Sequence, residues 1–209
     1  MKLSDISGKK LFAKGKRGVI YVGKYRNKKV AIKVQRKDIP VTWSMKNEAD
    51  KLKLLNEKAG IGPKLLSSGK DYVVYEFVEG VFIPEFIEKA SRTDIKKVLK
   101  ECFRQCFVMD QLGLGKDELT NPFKHIIIKK AKKGKLNVTM IDFERCKNTP
   151  KPGNVTQFVQ YVTSKRLESV LRNKGFEFDK DKVIAAAKGY KSDISEDHFK
   201  KILKVLSLI

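Results

Sequence analysis

The sequence predicts an α+β fold of two lobes: a β-rich first lobe with one helix at residues 1–79, and a mostly helical second lobe at residues 80–209. Apolar and polar residues alternate over the first forty positions, which is typical of strands joined by tight turns. Beyond residue 90 the apolar residues recur at helical spacing instead. Gly80 ends the last strand-like stretch of the first half and marks the predicted boundary.

The elements of the first lobe follow from its patterning. The segment KLFAKGKRGVIYVGKYRNKKVAIKVQR alternates apolar and polar residues, and RNKK within it predicts a hairpin turn. Beyond Pro40, VTWSMKNEADKLKLLNEKAG carries apolar residues at near-helical spacing and predicts one helix, which Gly60 ends. The segment PKLLSSGKDYVVYEFVEG predicts a strand, a turn and a second strand rich in β-branched residues.

The second lobe begins with a long amphipathic helix. Its apolar positions follow one helical face: Ile95, Val98, Leu99, Cys102, Phe103, Cys106 and Phe107. Ser91 and Asp94 predict a capping box at its start. A basic turn, KKAKKGK, and a strand, LNVTMID, come later, followed by a helix for which Asn154 is the predicted N-cap. Two further helical patterns lie around Lys182–Lys188 and Ser195–Leu206.

Composition limits the classes of function. The chain has 46 Lys and Arg against 24 Asp and Glu, a formal net charge of +22, which favours polyanionic partners such as RNA, acidic proteins or nucleotides over an ordinary solvated surface. Cys102 and Cys106 lie four apart on an apolar stripe, which predicts buried thiols in a reducing cytoplasm; a metal site is the alternative, but further ligands are lacking. No segment is long and apolar enough to cross a membrane, and the first residues do not form a signal peptide.

A glycine-containing turn and a lysine within an apolar strand are the first signs of chemistry. Gly15 and Gly18 lie in a turn between two strands, where the absence of Cβ lets backbone N–H groups approach phosphate oxygens. The motif VAIKV then places Lys33 in the middle of an apolar strand. A lysine that points inward there needs an anionic partner, whereas one on an edge strand is simply exposed.

Two acidic residues favour the inward orientation. Glu48, on the predicted first-lobe helix, can pair with Lys33 and hold its ammonium toward phosphates. The motif MIDFERC places Asp142 at the end of a short strand, where a carboxylate can coordinate magnesium that bridges nucleotide phosphates. An exposed glutamate and a turn-forming aspartate are the ordinary alternatives, but four elements in this order, in these secondary-structure contexts, arise by accident much less often.

This order resembles a protein kinase core, reduced as in the RIO kinases and other small atypical kinases, and is especially similar to an archaeal group of predicted serine/threonine protein kinases. The resemblance covers roughly residues 12–162. Its sharpest motif is VAIKV, with IDFE and VVYEFVEG in support. It implies that ATP and Mg2+ bind between the lobes.

The resemblance assigns roles to the first-lobe residues. Gly15 and Gly18 match the second and third glycines of the glycine-rich loop, and Ala13 stands at the first. Lys33 matches the lysine that contacts the α- and β-phosphates, and Glu48 matches its helix partner.

VVYEFVEG resembles the hinge between the lobes. Tyr75 stands at the gatekeeper position, and the backbones of Glu76 and Val78 are expected to hydrogen-bond adenine. Asp142 matches the metal-binding aspartate of the DFG motif. Glu144 replaces the glycine of that motif, which predicts a less mobile segment.

The catalytic loop departs most from the family pattern. Within GKDELTNPFKHIII, alignment on the leucine of the family pattern places Glu118 at the catalytic aspartate and Lys116 at the preceding histidine. Alignment on the following strand places His125 at the metal-binding asparagine, so that two residues are inserted between the two anchors. Asp117 is a rival for the base, and Asn121 is a rival for the second metal ligand.

These assignments predict an ATP-dependent phosphotransferase or ATPase of the atypical serine/threonine kinase type. The alternative is a weak or inactive pseudokinase that acts as a nucleotide- or RNA-binding module. After Asp142 the chain has no APE motif, so the sequence names no phosphate acceptor. The positive charge adds RNA or a ribonucleoprotein as an expected partner.

Overall fold

The chain divides into two compact units. The computed structural model describes residues 1–36, 38, 44–131 and 134–209. Residues 41–43 of the predicted first-lobe helix and residues 132–133 of the predicted basic turn lie outside the described residues. The first unit comprises Met1–Glu79 and Thr139–Cys146, and the second comprises Gly80–Val138 and Lys147–Ile209.

An antiparallel five-stranded sheet is the main feature of the first unit, with strand order β1-β2-β3-β5-β4. Its strands are β1 (Ser7–Lys14), β2 (Gly18–Tyr25), β3 (Lys28–Gln35), β4 (Leu65–Ser68) and β5 (Tyr72–Glu76). The β2–β3 hairpin turns at Arg26 and Asn27, whose φ angles of 46° and 62° are left-handed. Two such residues match the twist of the flanking strands, and the predicted RNKK hairpin is confirmed.

The α-helix of the first unit, α1 (Ser44–Ala59), buries one face at helical spacing. The buried residues of this face are Met45, Glu48, Ala49, Leu52 and Leu55. Gly60 follows the helix with a φ of 62°, and the N–H of Ile61 donates to the carbonyl of Leu55 at 3.2 Å. The helix therefore ends where the sequence predicts, in a left-handed glycine cap.

Strand β3 is the centre of the sheet and is covered on both faces. Every residue from Val30 to Lys33 is buried, although their side chains alternate in direction. One face packs Val30 and Ile32 against Val74 and Ile6. The opposite face carries Lys33, whose surroundings form the candidate site.

Helices dominate the second unit. They are α2 (Ile83–Lys89), α3 (Arg92–Gln111), α4 (Asn154–Val162), α5 (Lys165–Asn173), α6 (Lys180–Ser192) and α7 (Glu196–Val205). Two small sheets accompany them, with orders β10-β7 and β6-β8-β9. Their strands are β6 (Val81–Phe82), β7 (Leu114–Gly115), β8 (Ile126–Lys130), β9 (Leu136–Met140) and β10 (Lys147–Asn148). The last two residues of β9 belong to the segment Thr139–Cys146 of the first unit.

The two predicted helix caps have different outcomes. The hydroxyl of Ser91 accepts the N–H of Asp94 at 3.2 Å, so Ser91 is the N-cap of α3 as predicted. The prediction for Asn154 is wrong, because Gly153 is the N-cap of α4 and Asn154 is its first helical residue. Asn154 is fully buried, and its amide bonds to groups distant in sequence instead of capping its own helix.

The predicted α+β class is confirmed, with seven α-helices in the part of the chain that the structure describes. None of these helices has both the length and the apolar character that a membrane span requires. Cys102 and Cys106 are fully buried free thiols, as their spacing predicts, and burial raises the pKa of both.

Candidate functional site

Lys33 lies at the centre of the candidate site, in the middle of β3. Its neighbours across the sheet are Ile20 on β2 and Val73 on β5, and only 9% of its side chain is exposed. An ammonium at such a position is costly unless anions surround it. Three carboxylates do so within the first unit, at 2.8 Å for Glu48, 2.9 Å for Asp142 and 3.0 Å for Glu144.

Glu48 is the most deeply buried of the three carboxylates. Its side chain is 2% exposed on the buried face of α1, and the predicted ion pair between Lys33 and Glu48 is present. Burial raises the pKa of Glu48, and the Lys33 ammonium opposes that shift while the carboxylates of Asp142 and Glu144 add to it. Its second oxygen, Oε1, accepts the backbone N–H of Phe143 at 3.4 Å. Glu48 therefore ties α1 both to Lys33 and to the segment that follows β9.

Asp142 lies two residues beyond the end of β9 and reaches Lys33 from a left-handed backbone conformation. Its φ is 64°, a region in which aspartate is tolerated better than most residues. The next side chain, Phe143, is fully buried and lies against Gly62, where a Cβ would come within 3.1 Å of the ring. Because Phe143 anchors the segment, the Asp142 carboxylate stays at the site while 38% of its side chain remains exposed.

Glu144 joins two cations. Its Oε2 lies 3.0 Å from Nζ of Lys33, and its Oε1 lies 3.1 Å from Nη1 of Arg17, in the turn between β1 and β2. The side chain of Asn47 fixes the backbone here by donating to the carbonyls of Glu144 and Cys146 at 2.9 and 2.8 Å. Neither Arg17 nor Asn47 was among the residues predicted from the sequence.

The glycine-containing turn lies directly over Lys33. The N–H of Gly15 donates to the carbonyl of Gly18 at 2.8 Å and closes the turn. A Cβ on Gly18 would meet the carbonyl oxygen of Val34 at 3.2 Å and Cγ of Lys33 at 3.4 Å. Arg36 also stabilises the turn, because its guanidinium donates a hydrogen bond to the carbonyl of Gly15 at 3.2 Å. Glycine at position 18 thus allows the turn to approach the lysine closely.

The site brings three carboxylates together around its cations. Among the described residues, the three carboxylates of Glu48, Asp142 and Glu144 contact two cations, Lys33 and Arg17. Burial alone would lower the pKa of Lys33, but Glu48, Asp142 and Glu144 together raise it, and the ammonium stays charged. Oxygen atoms of the three carboxylates lie within 4.8 Å of one another, so they can hold a metal ion. Carboxylate oxygens are hard ligands of the kind that Mg2+ prefers, and this donor set therefore fits Mg2+.

The predicted hinge residues lie at and just beyond the end of β5, whose last residue is Glu76. The N–H of Glu76 donates to the carbonyl of Lys64 at 2.9 Å. The carbonyl of Glu76, rather than its N–H, is therefore the group expected to hydrogen-bond adenine. The N–H of Phe77 donates to the carbonyl of Lys29 at 3.1 Å. The adenine-binding roles of Glu76 and Val78 stay predictions.

The atypical catalytic-loop segment lies in the second unit. Lys116 is fully buried, and its Nζ lies 3.3 Å from Oε2 of Glu118, whose side chain is mostly buried. The rival carboxylate, Asp117, is exposed and contacts the exposed Lys147 at 3.2 Å. Since a contact with a buried lysine holds a side chain more firmly than a surface ion pair, the structure positions Glu118 better than Asp117.

A buried hydrogen-bond network supports this segment. Oδ1 of Asn154 accepts the backbone N–H of Lys116 at 2.8 Å, while its Nδ2 donates to Asp110 and to the carbonyl of Leu114, both at 2.6 Å. Asp110 also accepts the hydroxyl of Tyr190 at 3.0 Å. Burial raises the pKa of Asp110, and its hydrogen bonds oppose that shift. Asp110 was not predicted from the sequence, where it is one more acidic residue at the end of a helix.

The remaining loop residues form the turn before β8. The N–H of Asn121 donates to the carbonyl of Glu118 at 3.2 Å, and the N–H of His125 donates to the carbonyl of Pro122 at 2.9 Å. These bonds close a local turn where the sequence predicts two inserted residues, and the insertion itself stays a prediction. The metal-ligand roles of His125 and Asn121 stay predictions.

Comparison with solved structures identifies the fold, although no family model and no curated protein matches the sequence. Two crystal structures of the Rio2 kinase from Chaetomium thermophilum each align with 97% of this chain. The one described as an ADP/Mg2+-phosphoaspartate complex has a TM-score of 0.60 at 13% identity and is covered over 71% of its length. The other has a TM-score of 0.58 at 14% identity and is covered over 73%.

A third solved structure, described as a kinase domain, aligns with 68% of this chain and 51% of its own length, with a TM-score of 0.50 at 19% identity. The chain therefore has an atypical, RIO-like protein kinase fold, as the sequence predicts. The functional residues must be argued from their own chemistry, because a fold can host different activities.

Proposed function

We propose that this chain binds ATP with Mg2+ and is an ATP-dependent phosphotransferase or ATPase of the atypical serine/threonine kinase type. One observation supports this most strongly: the buried ammonium of Lys33, held by Glu48 and Asp142 beneath a glycine-containing turn. A kinase-like fold accompanies this arrangement, and one of the similar Rio2 structures is described as a complex with ADP and Mg2+.

Each first-unit residue has a distinct task in the proposed site. Lys33 binds phosphate oxygens, and the deeply buried Glu48 fixes the position of its ammonium. Backbone N–H groups of the turn at Gly15 and Gly18 approach the phosphates from above. The backbones of Glu76 and Val78 hold the adenine.

Asp142 is the carboxylate best suited to hold Mg2+, since more than a third of its side chain is exposed while one of its oxygens contacts Lys33. When bound, the ion supplies positive charge that neutralises the phosphates during transfer. Mg2+ in proteins commonly takes one or two carboxylates together with substrate phosphates, which agrees with the clustering of carboxylate oxygens at this site.

The second unit supplies the residues proposed to serve the phosphate acceptor. In the transfer step, an acceptor oxygen bonds to the γ-phosphorus, the bond to the β–γ bridging oxygen breaks, and ADP leaves. Glu118 is the preferred group to accept the acceptor's proton, because Lys116 holds it in place, and Asp117 is the alternative. Water takes the place of the acceptor in the ATPase form of the reaction.

Nucleotide binding is tested by thermal unfolding with and without ATP and Mg2+. At a ligand concentration of about one hundred times Kd, binding stabilises the folded chain by about 2.7 kcal/mol. We expect this stabilisation in the natural sequence and in Lys24→Ala, which removes an exposed lysine from β2, and its loss in Lys33→Ala. A natural sequence that ATP and Mg2+ do not stabilise would overturn the proposal.

Phosphoryl transfer is tested separately by following the γ-phosphate of labelled ATP to the chain itself, to generic acidic and basic protein substrates, or to water. We expect release or transfer in the natural sequence and its loss in Asp142→Ala. Equal signals from the two proteins would refute the enzymatic part while leaving nucleotide binding intact.

A further inference from the structure

The carboxylate of Glu144 contacts both Arg17 and Lys33, as the oxygens of a phosphate group could. Its two carboxylate oxygens are divided between the two cations, at 3.1 Å to Nη1 of Arg17 and 3.0 Å to Nζ of Lys33. A phosphate group offers the same chemistry, with several oxygens that bind arginine and lysine together. Two cations that converge on one anion from different elements therefore form a ready binding site for phosphate.

The elements around Glu144 keep this arrangement in place. The amide of Asn47 holds the Glu144 carbonyl at 2.9 Å, which fixes the backbone from which the carboxylate extends. The N–H of Arg36 donates to the carbonyl of Arg17 at 3.0 Å, which fixes the turn that carries the guanidinium. Only the carboxylate and the guanidinium need to move for the contact to open, because both backbones are held separately.

Burial strengthens the contact between Glu144 and Lys33, whereas the Arg17 side chain is 40% exposed. The side chains of Glu144 and Lys33 are mostly buried, so their charges are poorly screened by water. A nucleotide phosphate that approaches Lys33 meets the negative charge of Glu144 at close range. It gains the full attraction of Arg17 only after the Glu144 carboxylate has released the guanidinium.

We propose that Arg17 is a phosphate-binding residue and that Glu144 occupies its phosphate site in the unliganded chain. This inference rests on the proposed function, since the phosphate is that of the bound nucleotide. Binding exchanges the Glu144 carboxylate for phosphate oxygens on Arg17 and Lys33. Glu144 thereby lowers the affinity for the metal-free nucleotide. While Glu144 is present, substitution of Arg17 has little effect on that affinity.

Calorimetric titration of ATP in the presence of EDTA tests the exchange without any metal. We expect Glu144→Gln, which keeps the shape but removes the charge, to bind metal-free ATP at least about threefold more tightly than the natural sequence. Glu144→Ala is expected to give the same increase in affinity, and it replaces the glutamine variant in this test if that variant does not fold.

A double-mutant cycle then separates the proposed exchange from a general charge effect. Arg17→Gln is expected to weaken binding by less than about twofold in the natural sequence, but by at least about fivefold in the Glu144→Gln background. The matched control is Lys16→Gln, which removes one positive charge from the same turn. Its effect should be the same in both backgrounds.

The inference is overturned if Glu144→Gln and Glu144→Ala bind metal-free ATP no more tightly than the natural sequence, or if Arg17→Gln has equal effects in both backgrounds. These failures leave the proposed function standing as long as ATP with Mg2+ still stabilises the natural sequence. A natural sequence that binds ATP neither with nor without Mg2+ overturns both proposals.

Discussion

The ammonium of Lys33 lies 2.9 Å from Oδ1 of Asp142, a residue 109 positions later in the chain. This contact brings together the middle of a sheet strand and the segment that follows β9, and Glu48 and Glu144 complete the same cluster. A structural salt bridge needs a single carboxylate to neutralise a buried lysine. The additional acidic groups favour a site that receives a further cation together with an anionic ligand.

Glu48 should give the stability of the chain a recognisable pH dependence. Its pKa is raised above the ordinary value of 4.5 by burial, so between pH 4.5 and the folded-state pKa the folded chain holds a proton that the unfolded chain has already lost. Stability attributable to Glu48 is therefore complete below pH 4.5 and falls as the pH rises toward the folded-state pKa. Glu48→Gln removes the titrating carboxyl group, and the loss of stability with rising pH disappears with it.

The measurement is the free energy of unfolding in urea from pH 4 to pH 7. We expect the stability of Glu48→Gln relative to the natural sequence to increase with pH, whereas Glu57→Gln, an exposed change on the same helix, should show no trend. A relative stability of Glu48→Gln that stays constant or decreases with pH would contradict the direction assigned to the Glu48 pKa.

The two glycines of the turn should differ in their tolerance of alanine. A Cβ at Gly18 meets the backbone carbonyl of Val34 at 3.2 Å and Lys33 at 3.4 Å, so the turn must shift away from the lysine. We expect Gly18→Ala to lower the affinity for ATP with Mg2+ by at least about threefold, because small displacements at a binding site are costly. Gly15→Ala, whose Cβ lies 3.4 Å from the Gly18 carbonyl oxygen, should lower it less. Titration of both variants checks the order, and a larger effect at Gly15 would refute it.

Asn154 should be the most sensitive residue of the network below the catalytic-loop segment. Asn154→Ala removes the acceptor for the Lys116 N–H and leaves Asp110 and the Leu114 carbonyl short of a donor. Since each buried group left unsatisfied costs about 1–3 kcal/mol, we expect a loss of at least about 2 kcal/mol in unfolding free energy. Tyr190→Phe removes one of several bonds to Asp110 and should cost about 1 kcal/mol. Urea denaturation compares the two, and a larger loss for Tyr190→Phe would contradict the central position of Asn154.

The two carboxylates of the catalytic-loop segment should contribute unequally to phosphoryl transfer. Glu118 contacts the buried Lys116, whereas Asp117 contacts an exposed lysine, so Glu118 is the proposed base. We expect Glu118→Gln to lower the transfer rate at least about tenfold and Asp117→Asn to lower it by less than about threefold. Single-turnover assays at saturating ATP and Mg2+ separate this effect from binding. The opposite order would assign the role to Asp117.

Local patterns were sufficient to predict the main elements of the site. Lys33 stands out because it interrupts an apolar strand, and Asp142 because it follows a short one, so their residue types and positions were both informative. Arg17 could not be singled out in the same way. It lies in a turn with Lys16, just after Lys14 at the end of β1, and a turn has no periodicity to indicate which cation points inward.

Residues that depend on distant contacts were the ones that sequence patterns missed. Asn154 fits an N-cap by local rules, yet Asp110, 44 positions earlier, binds its amide in the interior.

Two helices were missed because their own sequence pattern is weak. Helix α5 buries only Leu167 and Leu171, which is too few apolar residues for a clear helical pattern. Helix α2 is seven residues long and has proline in its first turn, so its length and composition gave no signal either.

The central claim is that the cluster around Lys33 binds nucleotide phosphates together with Mg2+ through Asp142. Calorimetric titration of ATP, with and without Mg2+, tests it most directly in the natural sequence and in Asp142→Asn, which keeps the size of the side chain and removes its charge. We predict that Mg2+ strengthens ATP binding by at least about tenfold in the natural sequence and has little effect in Asp142→Asn. Binding that Mg2+ does not strengthen, or strengthens equally in both proteins, would contradict the claim.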